Sequence, residues 1–262
     1  MKQINQFINE YIVKKKLDKF IDSEDHYKYF PTSKKELIKN IDELLSEGET
    51  NLNCIDTSKI TDMSSLFTTI MHKTANIDVS KWNVSNVNSM QYMFQDMKNF
   101  DCDLSNWNVS NVENMYSMFN KCFSFTGKGL KNWNVSNVKT MEFMFVGCEK
   151  FDGDLSCWDV SNVKYMNSMF YACINFTGKG LENWNMHKVE DIGSMLGACV
   201  SFDCDLSNWD ISNATSMAGL FYGCKKFKGK GLENWKLNKY ANIDYIFNGC
   251  DKMKNKPSWY KK

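Results

Sequence analysis

Tryptophan recurs at a nearly constant interval along the chain, and this regularity limits the possible folds more than any other feature. From Trp82 to Trp235, seven tryptophans are separated alternately by 25 and 26 residues. They lie within the template L-x-x-W-[ND]-V-S-N-V-x-x-M-x-x-M-F-x-x-C-x-x-F, most of which residues 106–125 show. Eight repeats can be counted by the residue at the first methionine position of the template; these residues are Met63, Met90, Met115, Met141, Met166, Ile192, Met217 and Ile243. Because a unit of about 25 residues cannot bury its apolar face alone, we expect the repeats to stack around one core.

Within a repeat the apolar spacing changes, and this predicts two kinds of local structure. Residues 112–122 carry apolar side chains at helical or 3₁₀ spacing, and Ser110 before them is a candidate N-cap. Residues 100–107 instead begin by alternating apolar and acidic side chains, as a short strand does. The predicted fold is an α/β solenoid of about eight coils, each with a short strand and a short helix or turn. With strands about 4.8 Å apart, the stack would be on the order of 40 Å long.

The template resembles the repeats of the BspA-like leucine-rich-repeat family, in particular its Mycoplasma lipoprotein-like subgroup with 25-residue repeats. The resemblance covers roughly residues 50–255 and depends on a long motif that recurs in register. It implies a leucine-rich-repeat-like, right-handed solenoid with one strand per coil on a shared face. It also implies a surface protein of a bacterium or protist that acts in adhesion, aggregation or host-protein binding, although some members occur in viruses and phages.

Segments on either side of the repeats predict covers for the two ends of the stack, which such an array needs. Before the repeats, an amphipathic helix is predicted around residues 7–17 and a second after Pro31, where Ser33 and Glu36 have capping-box spacing. After them, an apolar tail that contains Trp259 is expected to fold over the last coil. The expected regions are an N-terminal helical cap at 1–50, the repeats at 51–253 and a C-terminal cap tail at 254–262.

Composition and charge exclude several classes of function. The net charge is +1 and all 32 basic residues are lysines, so neither nucleic acid nor an anionic membrane is an expected partner. No apolar run approaches the ~20 residues that a membrane span needs. Because no signal peptide or anchor is visible, the chain is expected to be cytoplasmic or virion-associated, and extracellular only if another route exports it.

Cysteine occupies one internal repeat position six times, which favours buried reduced thiols over disulfides. There is no Cys-x-x-Cys pair, and His26, His72 and His187 have no ligand spacing from any cysteine, so neither a metal nor another cofactor is expected. His187 replaces the serine of the template, which favours drift of the repeat at an exposed bend over a functional insertion. No catalytic motif is present, so the chain is not expected to be an enzyme. The six cysteines are Cys122, Cys148, Cys173, Cys199, Cys224 and Cys250.

Two kinds of repeat alternate, and this alternation supplies the candidate binding residues. Acidic repeats continue after the phenylalanine with Asp-x-Asp, as in FDCDLSNW at 100–107, whereas glycine repeats continue with Gly-Lys-Gly, as in FTGKGLKNW at 125–133. Stacking would place acidic and basic side chains in adjacent rows, which relieves like-charge repulsion between neighbours. The same rows could dock a partner, and an Asp-x-Asp pair could bind calcium, although neighbouring lysines disfavour the ion. These charged rows are Asp101, Asp103, Lys128, Asp152, Asp154, Lys179, Asp203, Asp205, Lys228 and Lys230.

These features predict a non-enzymatic protein-binding or adhesion module that presents an extended solenoid face to a macromolecule. The expected partner is a protein, either of a host or a second copy of the chain, and the sequence leaves the oligomeric state open. The alternative hypothesis is an intracellular, virion or phage structural scaffold in which the stack serves as a spacer. An enzyme is a more distant alternative.

Overall fold

A computed structural model describes residues 27–69 and 75–260. Within these ranges one α-helix is present, α1 (Lys34–Ser46), together with two 3₁₀ turns at Leu130–Asn132 and Leu181–Asn183. No strand longer than an isolated bridge forms in the described part of the chain. The predicted α/β solenoid with a short strand and a short helix in each coil is therefore wrong. The repeats consist of turns.

Parallel backbone bridges join each repeat to the next. Seven of them link the residues that immediately precede the first methionine position of the template. Two further bridges, between Tyr29 and Ile55 and between Asn51 and Asp78, lie near the N-terminal end of the stack. The repeats are thus stacked in register. The linked residues are, in order, Asp62, Ser89, Asn114, Thr140, Tyr165, Asp191, Ser216 and Asn242.

Hydrogen bonding between repeats explains why the segment with helical spacing is not a helix. The N–H groups of Met115, Ser117 and Phe119 donate to carbonyls of the next repeat, at 3.1, 2.9 and 2.9 Å. Of the residues between them, Met118 donates three positions back to Met115 at 3.3 Å, and Tyr116 donates to the side chain of Asn114 at 2.9 Å. Ser117 has a φ of +54°, and the equivalent residue is left-handed in every repeat. A left-handed residue interrupts the i to i−4 pattern of an α-helix, so these segments form a ladder of turns instead.

The core is a set of side-chain ladders that run along the stack. Trp133 and Trp158 stack with ring centroids 6.4 Å apart and planes 1° from parallel, and Phe119 lies 5.6 Å from Phe145. Each indole N–H donates to a backbone carbonyl of the preceding repeat; the N–H of Trp133, for example, donates to the carbonyl of Leu104 at 3.1 Å. The recurring tryptophan, methionine and phenylalanine positions are almost completely buried. Burial of this apolar surface, with every indole N–H paired, stabilises the stack.

The N-terminal cover begins where the sequence predicts its second helix. Ser33 is the N-cap of α1 and accepts from the N–H of Glu36, whereas the Glu36 carboxylate bonds Thr32. One face of α1, which includes Leu37 and Ile41, is buried against the core. The first predicted helix, around residues 7–17, lies outside the described residues. No helix in the described ranges is long and apolar enough to cross a membrane.

The C-terminal tail packs on the last repeat and continues its register. Trp259 stacks on Trp235 at 6.1 Å, and its indole N–H donates to the carbonyl of Leu232 at 2.7 Å, as the other tryptophans do one repeat back. Tyr260 contacts Phe247 edge-on at 5.2 Å. The tail therefore forms the first half of a ninth repeat. Because Trp259 follows Trp235 by 24 residues and not by 25 or 26, the sequence pattern did not reveal this half repeat.

Candidate functional site: the charged rows

The charged rows come together as the stacking predicted, and the structure pairs each carboxylate with a group in a neighbouring repeat. Ion pairs join Asp103 to Lys128 at 3.5 Å and Asp205 to Lys230 at 2.8 Å. Asp203 pairs with Lys228. In each case the lysine belongs to the glycine repeat that follows the acidic one. The rows are therefore cross-linked along the stack.

The first aspartate of each Asp-x-Asp pair links two repeats through hydrogen bonds. One Asp101 carboxylate oxygen accepts from both the N–H and the hydroxyl of Thr126, at 2.9 and 2.7 Å. Asp152 makes the same two contacts with Thr177. Asp203 accepts from the N–H of Lys228 at 3.1 Å. Because backbone N–H groups need partners, these carboxylates have a structural role between repeats.

The second aspartate stabilises a turn and holds a lysine at the same time. Asp154 accepts from the N–H of Ser156 at 3.1 Å and faces two ammonium groups, those of Lys131 at 3.2 Å and Lys179 at 3.3 Å. Hydrogen bonds from Ser156, and then from the lysines, hold the pKa of Asp154 well below its usual value. The ammonium of Lys230, together with Ser207, lowers the pKa of Asp205 to about 2.

Lysines are the outward-facing members of these pairs. The side chains of Lys128, Lys179 and Lys230 are 60–73% exposed, whereas their aspartate partners are 18–40% exposed. The carboxylates are turned toward the backbone that they cap, which leaves the ammonium groups in contact with solvent. The solvent-exposed part of the rows is consequently a line of lysines at one repeat position, once every two repeats.

Glycine explains the alternation sterically, which the sequence reasoning missed. Gly129 and Gly180 have φ values of +88° and +96°, and a Cβ on either would lie 2.3 Å from a backbone nitrogen of the preceding acidic repeat. Gly231 approaches Ser207 in the same way, at 2.2 Å. A side chain at these positions would collide with the backbone, so acidic and glycine repeats fit each other in shape as well as in charge. The recurrence of Gly-Lys-Gly was the available signal.

His187 pairs with the next repeat. Its Nδ1 lies 2.9 Å from a carboxylate oxygen of Asp210, and its carbonyl accepts from the Asn213 side chain at 2.7 Å. Both side chains of the imidazole–carboxylate pair are exposed. No cluster of three or more His, Cys, Asp or Glu that could hold a metal is found among residues 27–69 and 75–260. His26 and His72 lie outside the described residues.

The cysteine position forms another internal ladder. The thiol of Cys148 is buried and donates to the carbonyl of Phe119 in the preceding repeat at 3.0 Å, and the five equivalent cysteines make the same contact. Burial raises the pKa of Cys148 well above its usual value. All ten cysteines are free thiols. A neutral, hydrogen-bonded thiol of this kind is a packing group with little nucleophilic character.

Exposed tyrosines form a second surface feature that the sequence reasoning did not identify. Tyr171 and Tyr222 occupy one repeat position in two repeats that are separated by a single repeat. Between them lies Gly197, where a Cβ would come within 2.8 Å of the Tyr171 ring. The signal was the presence of large aromatic residues at positions that are not part of the template. The exposed tyrosines are Tyr165, Tyr171, Tyr222, Tyr240 and Tyr245.

One family model matches the repeats. It is described as "Mycoplasma protein of unknown function, DUF285", and it matches residues 35–156, 124–179 and 143–260. No curated protein matches the chain. No solved structure matches it either.

Proposed function

The chain belongs to the family of Mycoplasma proteins of unknown function called DUF285, and we propose that it is a non-catalytic module that binds a protein partner through the lysines of its charged rows. The observation that carries this proposal is the regular display of Lys128, Lys179 and Lys230, each exposed and each held by a carboxylate that is fixed in a turn. The expected partner surface is acidic. The template's resemblance to adhesive BspA-like repeats supports the same conclusion.

The geometry of the rows favours a multivalent contact. The three lysines recur every second repeat, so they lie about 10 Å apart if adjacent repeats are about 4.8 Å apart. A single exposed ion pair contributes only about 0–1 kcal/mol, so one lysine alone would bind weakly. Lysines that are already held in place lose less side-chain entropy on binding, and several contacts on one rigid face add their effects.

The proposal is tested with a triple variant, Lys128→Gln, Lys179→Gln and Lys230→Gln. A matched variant, Lys81→Gln, Lys139→Gln and Lys150→Gln, removes the same charge from exposed lysines outside the rows. Lysines are preferred to aspartates for this test because the aspartates hold the turns. Both variants should unfold at nearly the wild-type temperature.

Immobilised wild type and variants are then compared by quantitative mass spectrometry of what they retain from a membrane and surface-protein extract of the host cells. A protein that binds through the rows should be retained about tenfold less by the row variant, and equally by the matched variant. Equal retention by all three chains contradicts the proposal. A defined oligomer of the chain itself, preserved in both variants by size-exclusion chromatography with light scattering, would favour the scaffold hypothesis instead.

A further inference from the structure

The ladder of turns ends at the eighth repeat with a row of N–H groups. In the seventh repeat the ladder N–H groups donate to carbonyls of the eighth; Met217 and Phe221, for example, bond Asn242 and Ile246 at 2.9 and 3.1 Å. The eighth repeat has four N–H groups at the same positions, and no described carbonyl accepts from them. We name this row the C-terminal edge. Its residues are Ile243, Tyr245, Phe247 and Gly249.

The tail covers the tryptophan half of the last repeat and, from the edge, the side chain of Phe247, which Trp259 and Tyr260 contact at 5.8 and 5.2 Å. Trp259 lies on Trp235, and the side chain of Met253 lies beside Gly229, so the tryptophan half of the repeat is covered. In the other half of the repeat, which contains the ladder residues 243–249, the side chain of Ile243 is partly exposed. The equivalent methionines of earlier repeats are fully buried. Tyr245 is 68% exposed. Among the described residues, nothing pairs with the C-terminal edge as one repeat pairs with the next.

Charge is concentrated at the same end. Residues 225–262 contain eleven lysines and three acidic residues, a net charge of +8; since the whole chain carries +1, residues 1–224 carry −7. Near the edge, the exposed lysines make no ion pair with any described carboxylate, in contrast to the paired lysines of the charged rows. These lysines are Lys236, Lys239, Lys252, Lys254 and Lys256.

We propose that the C-terminal edge binds an acidic polypeptide segment, which pairs with the edge in the turn conformation of a further repeat. Its carbonyl groups would accept from the four N–H groups of the edge, and its carboxylates would lie among the neighbouring lysines. When a polypeptide segment adds to an unpaired backbone edge, main-chain bonds supply affinity and side chains supply specificity. This surface is separate from the lysines of the charged rows, so the inference does not rest on the proposed function.

A polypeptide fits the edge better than nucleic acid or an anionic membrane does. Phosphate groups can pair with lysines, but the edge also presents N–H donors at every second residue. Within the chain this spacing is matched by the carbonyls of the next repeat, and a polypeptide in the same turn conformation would reproduce it. The earlier repeats illustrate the match. The carbonyls of Asp191 and Gly193 accept from Met166 and Ser168 at 2.9 and 2.8 Å.

The sixth repeat, to which Asp191 and Gly193 belong, supplies a peptide probe. The peptide VEDIGSMLGA, residues 189–198, contains two acidic residues and four carbonyls that serve as ladder acceptors within the chain. It is used acetylated, amidated and fluorescently labelled, and its binding to the full chain is followed by anisotropy. The control peptide has Glu190→Lys and Asp191→Lys, which keeps the backbone and reverses the charge.

The protein variants separate charge at the edge from charge elsewhere. Lys239→Gln, Lys252→Gln and Lys254→Gln together should weaken binding of the acidic peptide about tenfold. The matched variant with substitutions at Lys81, Lys139 and Lys150, which are exposed and lie outside residues 225–262, should bind the peptide as wild type does. The peptide should also slow amide hydrogen exchange at Ile243, Tyr245 and Phe247 about tenfold, because their N–H groups become paired.

Three outcomes would overturn the proposal. The first is no saturable binding of the acidic peptide, or equal binding of the control peptide. The second is binding of a single-stranded oligonucleotide or phosphatidylserine vesicles through the same lysines, with no peptide-induced slowing of exchange at the edge. The third is self-association that protects these amides without peptide, which would assign the edge to a second copy of the chain.

Discussion

At the residue scale, Gly180 shows how closely an acidic and a glycine repeat approach each other. A Cβ at this position would lie 2.3 Å from the N atom of Ser156 and 2.5 Å from the carbonyl carbon of Leu155, and neither backbone atom can move without shifting its repeat. Gly48 has a similar φ of +82° but no atom within 4 Å of the same construction. Substitutions at the two glycines therefore distinguish the effect of steric contact on stability from the effect of backbone strain.

We expect Gly180→Ala to lower the free energy of unfolding by more than about 2 kcal/mol, since it adds a backbone collision to left-handed strain. Gly48→Ala should lower it by only about 1 kcal/mol, from strain alone. Urea denaturation followed by tryptophan fluorescence measures both. Equal losses in the two variants would show that the close approach between the repeats contributes nothing.

The aspartates of the charged rows also predict an acid dependence of stability. The pKa values of Asp103, Asp154 and Asp205 are lowered in the folded chain by hydrogen bonds from serines and lysines. An aspartate in the unfolded chain titrates near about 3.9. Since the folded pKa values are lower, these carboxylates stabilise the fold above about pH 4, and this stabilisation is lost as the pH falls toward about 2.

Replacing the three aspartates by asparagine retains an acceptor for each turn and removes the titration. The free energy of unfolding should then fall less between pH 5 and pH 2 than it does in wild type, as measured by urea denaturation at each pH. Asn substitutions at Asp42, Asp244 and Asp251, which make no ion pair with a described residue, provide the control. If the asparagine variant lost as much stability between pH 5 and pH 2 as wild type does, groups other than these three aspartates would cause the loss.

At the element scale, the repeat is a set of turns whose backbone groups are shared with the next repeat. The spacing of residues 112–122 predicted a helix or 3₁₀ turn because several apolar side chains three or four positions apart can line one face of either. The ladder of turns places the same side chains on one face, and bonds to the next repeat replace the helical ones. Side-chain periodicity alone does not distinguish the two, since it reports direction and not the hydrogen-bond partner.

Trp259 provides a test of the half repeat at the C-terminal end. Trp259→Ala should lower the free energy of unfolding by about 2–3 kcal/mol, because it uncovers Trp235 and Phe247. Trp259→Phe retains an aromatic ring but leaves the Leu232 carbonyl without its donor, and should cost about 1 kcal/mol. Thermal and urea unfolding measure the difference. Two variants as stable as wild type would show that the tail does not belong to the stack.

At the scale of the whole molecule, the structural unit is a pair of repeats. Removing residues 125–150 deletes one glycine repeat and brings two acidic repeats together, with Asp103 next to Asp154. Removing residues 125–175 deletes a whole pair and restores an acidic repeat next to a glycine repeat. In the shorter deletion, like charges on adjacent rows repel and the glycine contact is lost. The stability of the stack should therefore depend more on the alternation of the two repeat types than on the number of repeats.

We therefore expect the shorter deletion to be less stable than the longer one by at least about 1 kcal/mol, even though it removes fewer repeats. The unfolding free energies of both purified chains test this, with circular dichroism as a check that each chain is folded. The reverse order, with the two-repeat deletion less stable, would mean that stability depends on the number of repeats and is indifferent to their alternation.

The sequence by itself determined the repeat, the alternation of two repeat types and the identity of the buried positions. It could do so because a tryptophan, methionine and phenylalanine pattern with a 25/26-residue period marks side chains that share one core. It also placed the charged rows side by side. Only the tertiary structure decided how the backbone is paired, which aspartates bond the threonine of the next repeat, and that Gly180 contacts the preceding repeat. These features depend on atoms about 25 residues apart, and no local pattern specifies which of those atoms will meet.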